Sequence, residues 1–486
     1  MALLPRRAAR AFATASSRPP RVAVVGSGPG GFYTAKYLLR AVPDLRVTVI
    51  DRWPAPFGLV RFGVAPDHPE VKAVGDDFES VARDHADRFS FAGDVFVGHP
   101  TDALRADHDG PVVGLPALRQ AFDAVVVACG AAGARELGLP GEDLEGVVAA
   151  RDFVGWYNAE PSHAFLEPLA GLAGRDCLNA AVVGQGNVAL DCARVLAAPP
   201  SLIEPTDMTR RAVAALGELP QKRRVDVLGR RGATQAAFTL KECRELANLD
   251  GGALVVDEAE LLAGDTAASL EEGTTRPLTR RRKFLDDVVK KSASAEREVR
   301  LRFLKKPVEF RPAADDASRV GSVVVENCVL EGPAGSQRAV GTGEFEELPC
   351  DLAITAVGYV SAPPDPRGGR AAERDGPSGG YASTKGRVDG EDFLYCAGWV
   401  KRGPTGIVGS NVADARETAN AVVADLATRA ETPAAFSGDA VDWAGWRAID
   451  EVERAAGEMY DAPRAKLDDV GAMREVARRW GGGGVV

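Results

Sequence analysis

The sequence predicts an α/β fold, because a strand, a glycine-rich turn and a helix follow one another at two places in the chain. The first set runs from an apolar stretch at 22–25 through the turn 26–31 (GSGPGG) into a helical stretch. The second runs from 180–183 through the turn 184–189 (GQGNVA) into another. Turns of the form G-x-G-x-x-G/A between a strand and a helix are typical of Rossmann-like dinucleotide-binding domains. We therefore expect two such domains in one chain.

The first turn has the glycine spacing of a pyrophosphate-binding loop. Gly26 permits the tight turn, Gly28 lets the backbone approach a pyrophosphate, and Gly31 lets helix and strand pack closely. Amides of the first helical turn and the helix dipole then hold the phosphates. The next strand, 46–50, ends at Asp51, about 20 residues beyond the last glycine, where a carboxylate accepts a hydrogen bond from a ribose hydroxyl.

The second unit ends its second strand differently. The strand predicted at 225–228 is followed by Gly229, Arg230 and Arg231, so two guanidiniums stand where the first unit has an acid. Guanidiniums suit a 2′-phosphate, which predicts NADP as the ligand of this unit. The alternative is a solvated pair of charges at a strand end. The position of the arginines relative to the glycine turn favours the phosphate role.

Composition and charge exclude several classes of protein. A length of 486 residues suits two or three domains, and a formal net charge of −10 argues against a general nucleic-acid binder. No apolar run approaches the length of a membrane span. The seven cysteines include no C-x-x-C pair, which argues against both a redox-active disulfide and a zinc ribbon. The histidines are not spaced as metal ligands, so no metal is expected, and no G-x-S-x-G elbow appears.

The first 20 residues differ in composition from the rest of the chain. They contain four arginines, several alanines, three hydroxyl-bearing residues and no acid. This composition is typical of a mitochondrial or plastid presequence, and the density of arginine favours the mitochondrion. A disordered tail is the alternative. In either case we exclude residues 1–20 from the fold.

Three further segments are distinctive. Residues 53–69 are too rich in proline and glycine for a helix and too apolar for a linker, so we expect them to lie against a ligand or the core. Residues 361–380 are polar and rich in proline and glycine, which is typical of a linker or excursion. Residues 276–291 form a basic patch on an acidic protein. The remaining pattern predicts helices over 70–89, 411–427 and 440–486, and buried strands at 122–128 and 351–359.

Two dinucleotide units with opposite charges at their second strands imply two different dinucleotides. A nicotinamide in the second unit needs an electron acceptor within hydride range, and FAD in the first unit is the economical choice. Without a dithiol relay, electrons must leave the flavin directly. Two alternatives stay open at this point. One is the flavin subunit of a larger complex, although no N-terminal cysteine cluster for iron–sulfur centres is present. The other is a nucleotide-sensing scaffold without turnover.

Five stretches resemble the mitochondrial NADPH:adrenodoxin (ferredoxin) reductases and their bacterial relatives. They are 56–69 (PFGLVRFGVAPDHP), 153–158 (FVGWYN), 184–191 (GQGNVALD), 229–232 (GRRG) and 397–406 (AGWVKRGPTG), and the similarity runs from residue 22 to about residue 423. The resemblance implies a glutathione-reductase-like fold, with an NADP domain inserted into a split FAD domain. The expected boundaries are 21–119 and 361–486 for the FAD domain, the latter with a C-terminal helical segment, and 120–360 for the NADP domain.

The resemblance also implies which residues contact each cofactor, and it agrees with the two glycine turns. The positions expected to contact FAD are Gly26, Gly28, Gly30, Asp51, Leu59, Val95, Trp399, Gly406, Ile407 and Val408. Those expected to contact NADP are Gln185, Gly186, Asn187, Val188, Arg230, Arg231, Glu242 and, at the nicotinamide end, Gly406. No residue is assigned to proton chemistry, since hydride transfer needs none. His68 is either a loop-packing residue or a group of the flavin environment.

The same resemblance implies a partner and a compartment. Its members pass electrons from NADPH through FAD, one at a time, to an acidic [2Fe–2S] ferredoxin of the adrenodoxin type. The basic residues Arg276, Arg280, Arg281, Arg282 and Lys283 would then steer docking, with a strong dependence on salt. A solvated helix face is the alternative, and both interpretations stay open. The expected location is the mitochondrial matrix, in solution or peripheral to the inner membrane.

Overall fold

The computed structural model describes residues 18–105, 108–291, 295–368, 377–428 and 439–480, and the chain forms two compact units. The first unit comprises the described residues up to Gly133, the segment Asn158–Ala164 and the described residues from Gly358 onward. The second comprises Ala134–Tyr157 and Phe165–Val357. The predicted fold class, α/β with two Rossmann-like units of which one is inserted into the other along the chain, is confirmed. The presequence predicted at 1–20 lies almost wholly outside the described residues, as does part of the predicted linker at 361–380.

The first unit is built on a mainly parallel seven-stranded sheet. Its strand order is Ser383–Thr384, Arg387–Val388, Leu394–Cys396, Ala124–Val127, Arg21–Val25, Arg46–Ile50 and Phe89–Ala92. A second small ladder joins Phe96–Val97 to Val112–Val113. Val22, at the centre, pairs with Val47 on one side and with Ala124 on the other. These central strands are apolar on both faces because helices cover both faces of a parallel sheet.

Nine α-helices belong to the described part of the first unit. They are Pro29–Ala41, Leu59–Phe62, Pro69–Lys72, Val74–Asp84, Leu115–Ala121, Trp399–Arg402, Ser410–Leu426, Trp443–Glu458 and Val470–Trp480. The helix Pro29–Ala41 packs against Ser410–Leu426, and Trp443–Glu458 packs against Val470–Trp480. The helices predicted over 70–89 and 440–486 are therefore each two shorter helices, and residues 481–486 lie outside the described part.

The second unit contains a six-stranded, fully parallel sheet and a three-stranded antiparallel one. The parallel order is Gly252–Val256, Arg297–Phe303, Arg223–Gly229, Leu178–Val183, Leu352–Thr355 and Val147–Ala149. The antiparallel order is Lys305–Pro312, Val320–Glu331 and Arg338–Pro349. The helices are Ala150–Asn158, Asn187–Ala197, Pro200–Ile203, Arg210–Gly217, Leu240–Ala247, Glu258–Ala263, Ala267–Glu272 and Arg276–Lys291. The short strands Gly133–Ala134 and Tyr359–Val360 lie near the unit boundaries along the sequence.

The boundary predicted at residue 120 needs correction. The strand Ala124–Val127 pairs in parallel with Arg21–Val25, so it belongs to the first sheet and the crossing to the second unit follows at Gly133. The segment Asn158–Ala164 also returns to the first unit. An apolar run such as 122–128 indicates a strand buried on both faces, but it carries no information about which sheet it joins.

None of the described helices combines the length and the apolar composition needed to cross a bilayer.

Candidate functional site

The glycines of the first turn have two different roles. Gly26 has a φ of +107°, and a Cβ placed on it would lie 2.4 Å from the carbonyl oxygen of Ala128. A Cβ on Gly31 would lie 1.9 Å from the carbonyl oxygen of Gly26. At Gly28 the nearest heavy atom would be 4.0 Å away. Gly26 and Gly31 therefore shape the turn, whereas Gly28 keeps its backbone open to a ligand at the start of the helix Pro29–Ala41.

Asp51 contacts this turn directly. Its Oδ2 accepts hydrogen bonds from the amide of Ser27 at 2.7 Å and from the hydroxyl of Ser27 at 2.6 Å, and its Oδ1 accepts from the amide of Trp53 at 3.0 Å. The amide of Val95 donates to the backbone carbonyl of Asp51 at 2.9 Å. Two of the predicted FAD residues, Asp51 and Val95, are thus brought together at the carboxyl end of the strand Arg46–Ile50. Ser27, which the sequence analysis did not single out, orients the carboxylate.

Two further segments converge on the turn through glycines. A Cβ on Gly58, whose φ is +49°, would lie 2.9 Å from the Cα of Gly28, and the amide of Phe57 donates to the carbonyl of Ser27 at 3.1 Å. A Cβ on Gly30 would lie 3.2 Å from the Cα of Gly398. The predicted residues Leu59 and Trp399 directly follow Gly58 and Gly398, so both sit on segments that touch the glycine turn. Gly58 and Gly398 were not predicted as site residues, although both lie within the stretches 56–69 and 397–406 that carried the family resemblance.

The helix Ser410–Leu426 anchors the remaining predicted FAD residues. The side chain of Asn411 donates to the carbonyl of Val408 at 3.0 Å, and the amide of Ile407 donates to the Ser410 hydroxyl at 3.1 Å. From the same helix, Asp414 accepts from the amide of Gly398 at 2.5 Å. The predicted residues Gly406, Ile407 and Val408 therefore share one anchor with the Gly398 segment. Ile407 is 71% exposed, so its side chain is available to a ligand or partner.

His68 is a buried residue at the end of the proline- and glycine-rich segment. Its amide donates to the carbonyl of Ala65 at 3.0 Å, its own carbonyl accepts from the amide of Val71 at 3.1 Å, and the helix Pro69–Lys72 follows. Its burial agrees with the prediction that 53–69 lies against the core or a ligand. Among the described residues no group of three or more histidine, cysteine or acidic side chains is arranged to hold a metal ion.

The second glycine turn repeats the design of the first in the second unit. Gly184 has a φ of +127°, and a Cβ on it would lie 2.3 Å from the carbonyl oxygen of Ala356. Within the described part of the chain, a Cβ on Gly186 would meet no heavy atom within 4 Å. Gly184 therefore corresponds to Gly26 and shapes the turn. Gly186 corresponds to Gly28 and leaves the start of the helix Asn187–Ala197 open to a pyrophosphate.

Asn187 and Glu242, both predicted to contact NADP, lie together. The amide side chain of Asn187 donates to Glu242 at 3.1 Å and accepts from the backbone amide of Thr239 at 2.9 Å. Val188 packs against the hydrophobic core of this unit. The side chain of Gln185 is different, because its nitrogen donates to the backbone carbonyls of Val227 at 3.3 Å and Arg302 at 2.9 Å. The side chain of Gln185 is thus bonded to the sheet, so we expect its predicted contact with NADP to come from the backbone.

Arg230 and Arg231 are exposed and follow directly on the strand Arg223–Gly229. A Cβ on Gly229 would lie 2.1 Å from Gln185, so the end of this strand touches the second glycine turn. Arg230 and Arg231 therefore directly follow a strand end that touches the turn, and both are exposed and accessible to an anion. This arrangement fits a dinucleotide that carries an additional phosphate on its adenosine ribose.

The predicted docking patch needs one correction. Arg281 is buried, and its guanidinium donates to the backbone carbonyls of Ala233, Thr234, Ala236 and Phe238 at distances of 2.7–3.0 Å. Burial lowers the pKa of Arg281 from its usual value. Arg281 lies on the buried face of the helix with Leu285 and Val288, at the spacing of three and four residues by which an amphipathic helix faces the core, so its guanidinium serves the fold and not docking. The sequence pattern missed this because the helix Arg276–Lys291 buries an arginine where an apolar residue would be usual.

The other members of the patch are accessible to different degrees. Arg282 is half-buried and bonded to Asp265 and Asp286, whereas Arg276, Arg280 and Lys283 are exposed. Beside them lies a cleft of about 540 Å³. Its lining includes the apolar Phe238, Pro277 and Leu278 and the cationic Lys241, Arg276 and Arg280. The accessible charge of the patch is therefore carried mainly by Arg276, Arg280 and Lys283, of which Arg276 and Arg280 line the cleft.

Comparisons with known proteins agree with this geometry. The family model described as pyridine nucleotide-disulphide oxidoreductase matches residues 20–368. The mitochondrial NADPH:adrenodoxin oxidoreductase of Salvelinus fontinalis is 40% identical over 493 aligned positions, covering 94% of this chain and 91% of the relative. That of Homo sapiens is 38% identical, covering 93% and 91%. NADPH-ferredoxin reductase FprA of Mycobacterium tuberculosis is 37% identical, covering 94% and 99%.

A solved structure matches over the same length. The Mycobacterium tuberculosis FprA in complex with NADPH has a TM-score of 0.82 and 36% sequence identity, and the match covers 95% of this chain and all of the other. Members of this group are oxidoreductases that use FAD and NADP(H), and the two open glycine turns fit both. The chain belongs to the pyridine nucleotide-disulphide oxidoreductases and, within them, to the family of the NADPH:adrenodoxin oxidoreductases.

Proposed function

We propose that this protein transfers electrons from NADPH through FAD, one at a time, to an acidic [2Fe–2S] ferredoxin of the adrenodoxin type in the mitochondrion. The observation that carries the proposal is the pair of open glycine turns, one bonded to an acid and the other flanked by two exposed arginines. Relatives named for NADPH and for adrenodoxin or ferredoxin support it, because they align over nearly the whole chain.

FAD is placed at the first turn. The turn formed by Gly26, Gly28 and Gly30 would hold the pyrophosphate, with the backbone of Gly28 open to it, and Asp51 would hold the adenosine ribose. Leu59 and Val95 contribute packing and backbone contacts, and Trp399 with residues 406–408 covers the other end. His68, buried in the adjoining segment, belongs to the flavin environment without a role in proton transfer. When bound, FAD supplies the conversion between two-electron and one-electron transfer, while the chain sets distance and electrostatics.

NADPH is placed at the second turn. Its pyrophosphate lies against Gly186, Asn187 and Val188 and the backbone of Gln185, and Glu242 acts by orienting Asn187. Arg230 and Arg231 bind the 2′-phosphate through charge-assisted hydrogen bonds. The resemblance implies that Gly406 contacts the nicotinamide end of NADPH.

The ferredoxin docks on the three exposed cations Arg276, Arg280 and Lys283. Opposite charges on the two proteins increase the rate of encounter and make that rate sensitive to salt. Arg282, already bonded to two acids, contributes less, and Arg281 is part of the core.

The mitochondrial matrix is proposed as the compartment, in solution or peripheral to the inner membrane. The arginine-rich, acid-free composition of residues 1–20 and the mitochondrial relatives support it. Fusing residues 1–20 to a fluorescent protein tests the proposal: import into mitochondria is expected, and a cytosolic signal would contradict it.

Spectroscopy of the purified protein tests the reaction. We expect a flavin absorption spectrum that bleaches on anaerobic addition of NADPH. With a [2Fe–2S] ferredoxin and cytochrome c present, steady NADPH oxidation should follow, and omitting the ferredoxin should abolish most cytochrome reduction. Reduction of ferricyanide without any reduction of ferredoxin would contradict the partner, and absence of NADPH consumption with both acceptors would favour the nucleotide-sensing scaffold.

A further inference from the structure

We propose that Glu453 is a positioning residue for FAD, which holds the segment 57–64 against the first glycine turn. Glu453 lies on the helix Trp443–Glu458, outside both glycine turns and outside every stretch that carried the family resemblance. The inference rests on the placement of FAD given under Proposed function. The inference gives a role to the C-terminal helices, which are not part of the strand–turn–helix pattern of a Rossmann-like unit.

Glu453 makes a buried, two-pronged ion pair with Arg61. Its Oε2 accepts from Nη1 of Arg61 at 2.9 Å and its Oε1 accepts from Nη2 at 2.5 Å. The side chain of Glu453 is fully buried and that of Arg61 is 4% exposed. A planar guanidinium matched to a carboxylate through two hydrogen bonds fixes both position and orientation, which a single contact does not.

A second cation secures the same point of the segment. Nζ of Lys466, itself buried, donates to the backbone carbonyl of Arg61 at 3.1 Å and to that of Asn158 at 3.3 Å. The amide of Leu467 donates to Oε1 of Glu453 at 2.9 Å. The carboxylate of Glu453 therefore binds the side chain of Arg61, and Lys466 binds the backbone carbonyl of Arg61.

Only one short helical turn separates this anchor from the glycine turn. The amides of Arg61 and Phe62 donate to the carbonyl of Gly58 at 3.0 and 2.9 Å. Gly58 in turn touches Gly28, and the amide of Phe57 donates to the carbonyl of Ser27. A shift of Arg61 would thus move Gly58 relative to Gly28, the glycine whose backbone is open to the pyrophosphate.

Asp450 provides a matched control on the same helix. Its carboxylate is also fully buried and one turn away, but it pairs with Arg447, Arg454 and Arg464, all on the C-terminal segment. Arg464 also contacts Glu453 at 3.2 Å, so the two acids belong to one network. They differ in that Glu453 reaches the segment 57–64. Loss of either carboxylate should destabilise the unit, but only loss of Glu453 should disturb FAD.

The experiment compares E453Q with D450N in the full-length protein. FAD is removed, and its rebinding to the apoprotein is titrated by flavin fluorescence, while thermal unfolding of the apoprotein reports the structural cost. We expect E453Q to weaken FAD about tenfold, which lies within the coupling range of residues in one network, and D450N to change it less than about twofold. Equal weakening by both variants, or none by E453Q, overturns the proposal.

A measurement on the wild type covers the case in which E453Q does not fold. Because positioning is reciprocal, FAD binding should slow hydrogen exchange of the Leu467 amide, which bonds to Glu453. Exchange slowed within 57–64 but unchanged at Leu467 overturns the inference. A Gly28→Ala variant distinguishes failure of the proposed FAD site from failure of the role of Glu453. If FAD still binds to G28A, the placement of FAD is wrong. If G28A loses FAD but E453Q binds it normally, only the role of Glu453 is refuted.

Discussion

At the scale of single residues, the two units differ most at the end of their second strand. Asp51 presents a carboxylate that is already bonded to the first glycine turn, whereas Arg230 and Arg231 present unburied guanidiniums beside the second. A carboxylate would repel a 2′-phosphate, and a guanidinium cannot accept a hydrogen bond from a ribose hydroxyl. We therefore propose that these three side chains select between the two dinucleotides.

Removing both Arg230 and Arg231 should abolish the preference for NADPH over NADH. In an R230A/R231A variant we expect the KM for NADPH to rise several-fold to hundreds-fold, since each charge-assisted hydrogen bond contributes about 1.5–3 kcal/mol. The KM for NADH should barely change. The measurement is steady-state ferricyanide reduction with each nucleotide.

Arg338 supplies the control for that experiment, because it is exposed on the antiparallel sheet of the same unit. An R338A variant should leave both KM values unchanged. A parallel loss of NADPH and NADH affinity in the double variant would show that the arginines do not read the phosphate.

At the scale of elements, each glycine turn contains glycines that the fold requires and, within a few residues, a glycine that ligand binding requires. A methyl group at Gly31 would overlap the carbonyl of Gly26, so G31A should destabilise the unit by about 1–3 kcal/mol or more through overpacking. A methyl group at Gly28 meets open space, and the φ of −75° there suits any residue.

We therefore expect G28A to fold normally and yet to lose FAD. The weakening should be at least about tenfold, because charged hydrogen bonds to the pyrophosphate of about 1.5–3 kcal/mol are lost when the phosphate is kept from the amides. Thermal unfolding of the apoprotein and FAD titration measure the two properties separately. Unchanged FAD affinity in G28A would contradict the placement of the pyrophosphate.

The basic helix Arg276–Lys291 allows a test of docking that avoids its buried residue. An R276E/R280E variant should slow ferredoxin reduction by about tenfold or more at low salt, within the range of electrostatic steering, and the effect should fade as salt screens the charges. Ferricyanide reduction should be unchanged. A K222E/R338E variant makes the same change in net charge at two exposed positions elsewhere on the unit, and an equal slowing there would mean that net charge, not this helix, controls the encounter.

At the scale of the whole molecule, the C-terminal helices link stability to pH. Burial acts to raise the pKa of Asp450, but Arg464 and Arg454 outweigh it and hold the pKa below the usual 3.8. A folded-state pKa below the unfolded one means that the ionised carboxylate stabilises the fold at any pH above about 3.8. That stabilisation is lost as the pH falls through the lower, folded-state pKa.

D450N should consequently be destabilised at neutral pH, by about 3 kcal/mol if it behaves like other broken buried ion pairs. The gap between the unfolding midpoints of wild type and D450N should narrow as the pH is lowered below about 3.8, where the carboxylate of the unfolded wild type takes up a proton while that of the folded state does not. Thermal unfolding between pH 7 and pH 3 measures this gap. A gap that stays constant across the range would contradict a charged role for Asp450.

Much of the fold and of the two sites was predictable because the information is local. Strand, glycine turn and helix each obey short-range steric rules. The charged residues that follow the second strand of each unit lie within three positions of its end. Arg281 shows where local reasoning fails: the four consecutive basic positions 280–283 look alike in sequence, and only packing decides that Arg281 donates to four backbone carbonyls. The side chain of Gln185 likewise turns to the sheet, which sequence spacing alone does not reveal, and its predicted contact with NADP stays a prediction.

The amino-acid sequence by itself determined the α/β class, the two glycine turns, the opposite charges beside them and hence the two kinds of dinucleotide. Tertiary structure alone decided that the strand Ala124–Val127 joins the first sheet, that Gly58 and Gly398 close on the first turn, and that Glu453 holds Arg61 from 392 positions along the chain. The physical reason is the distance along the chain over which each interaction acts. Backbone sterics and side-chain charge act between near neighbours, whereas strand pairing and buried ion pairs depend on which distant segments the folded core brings into contact.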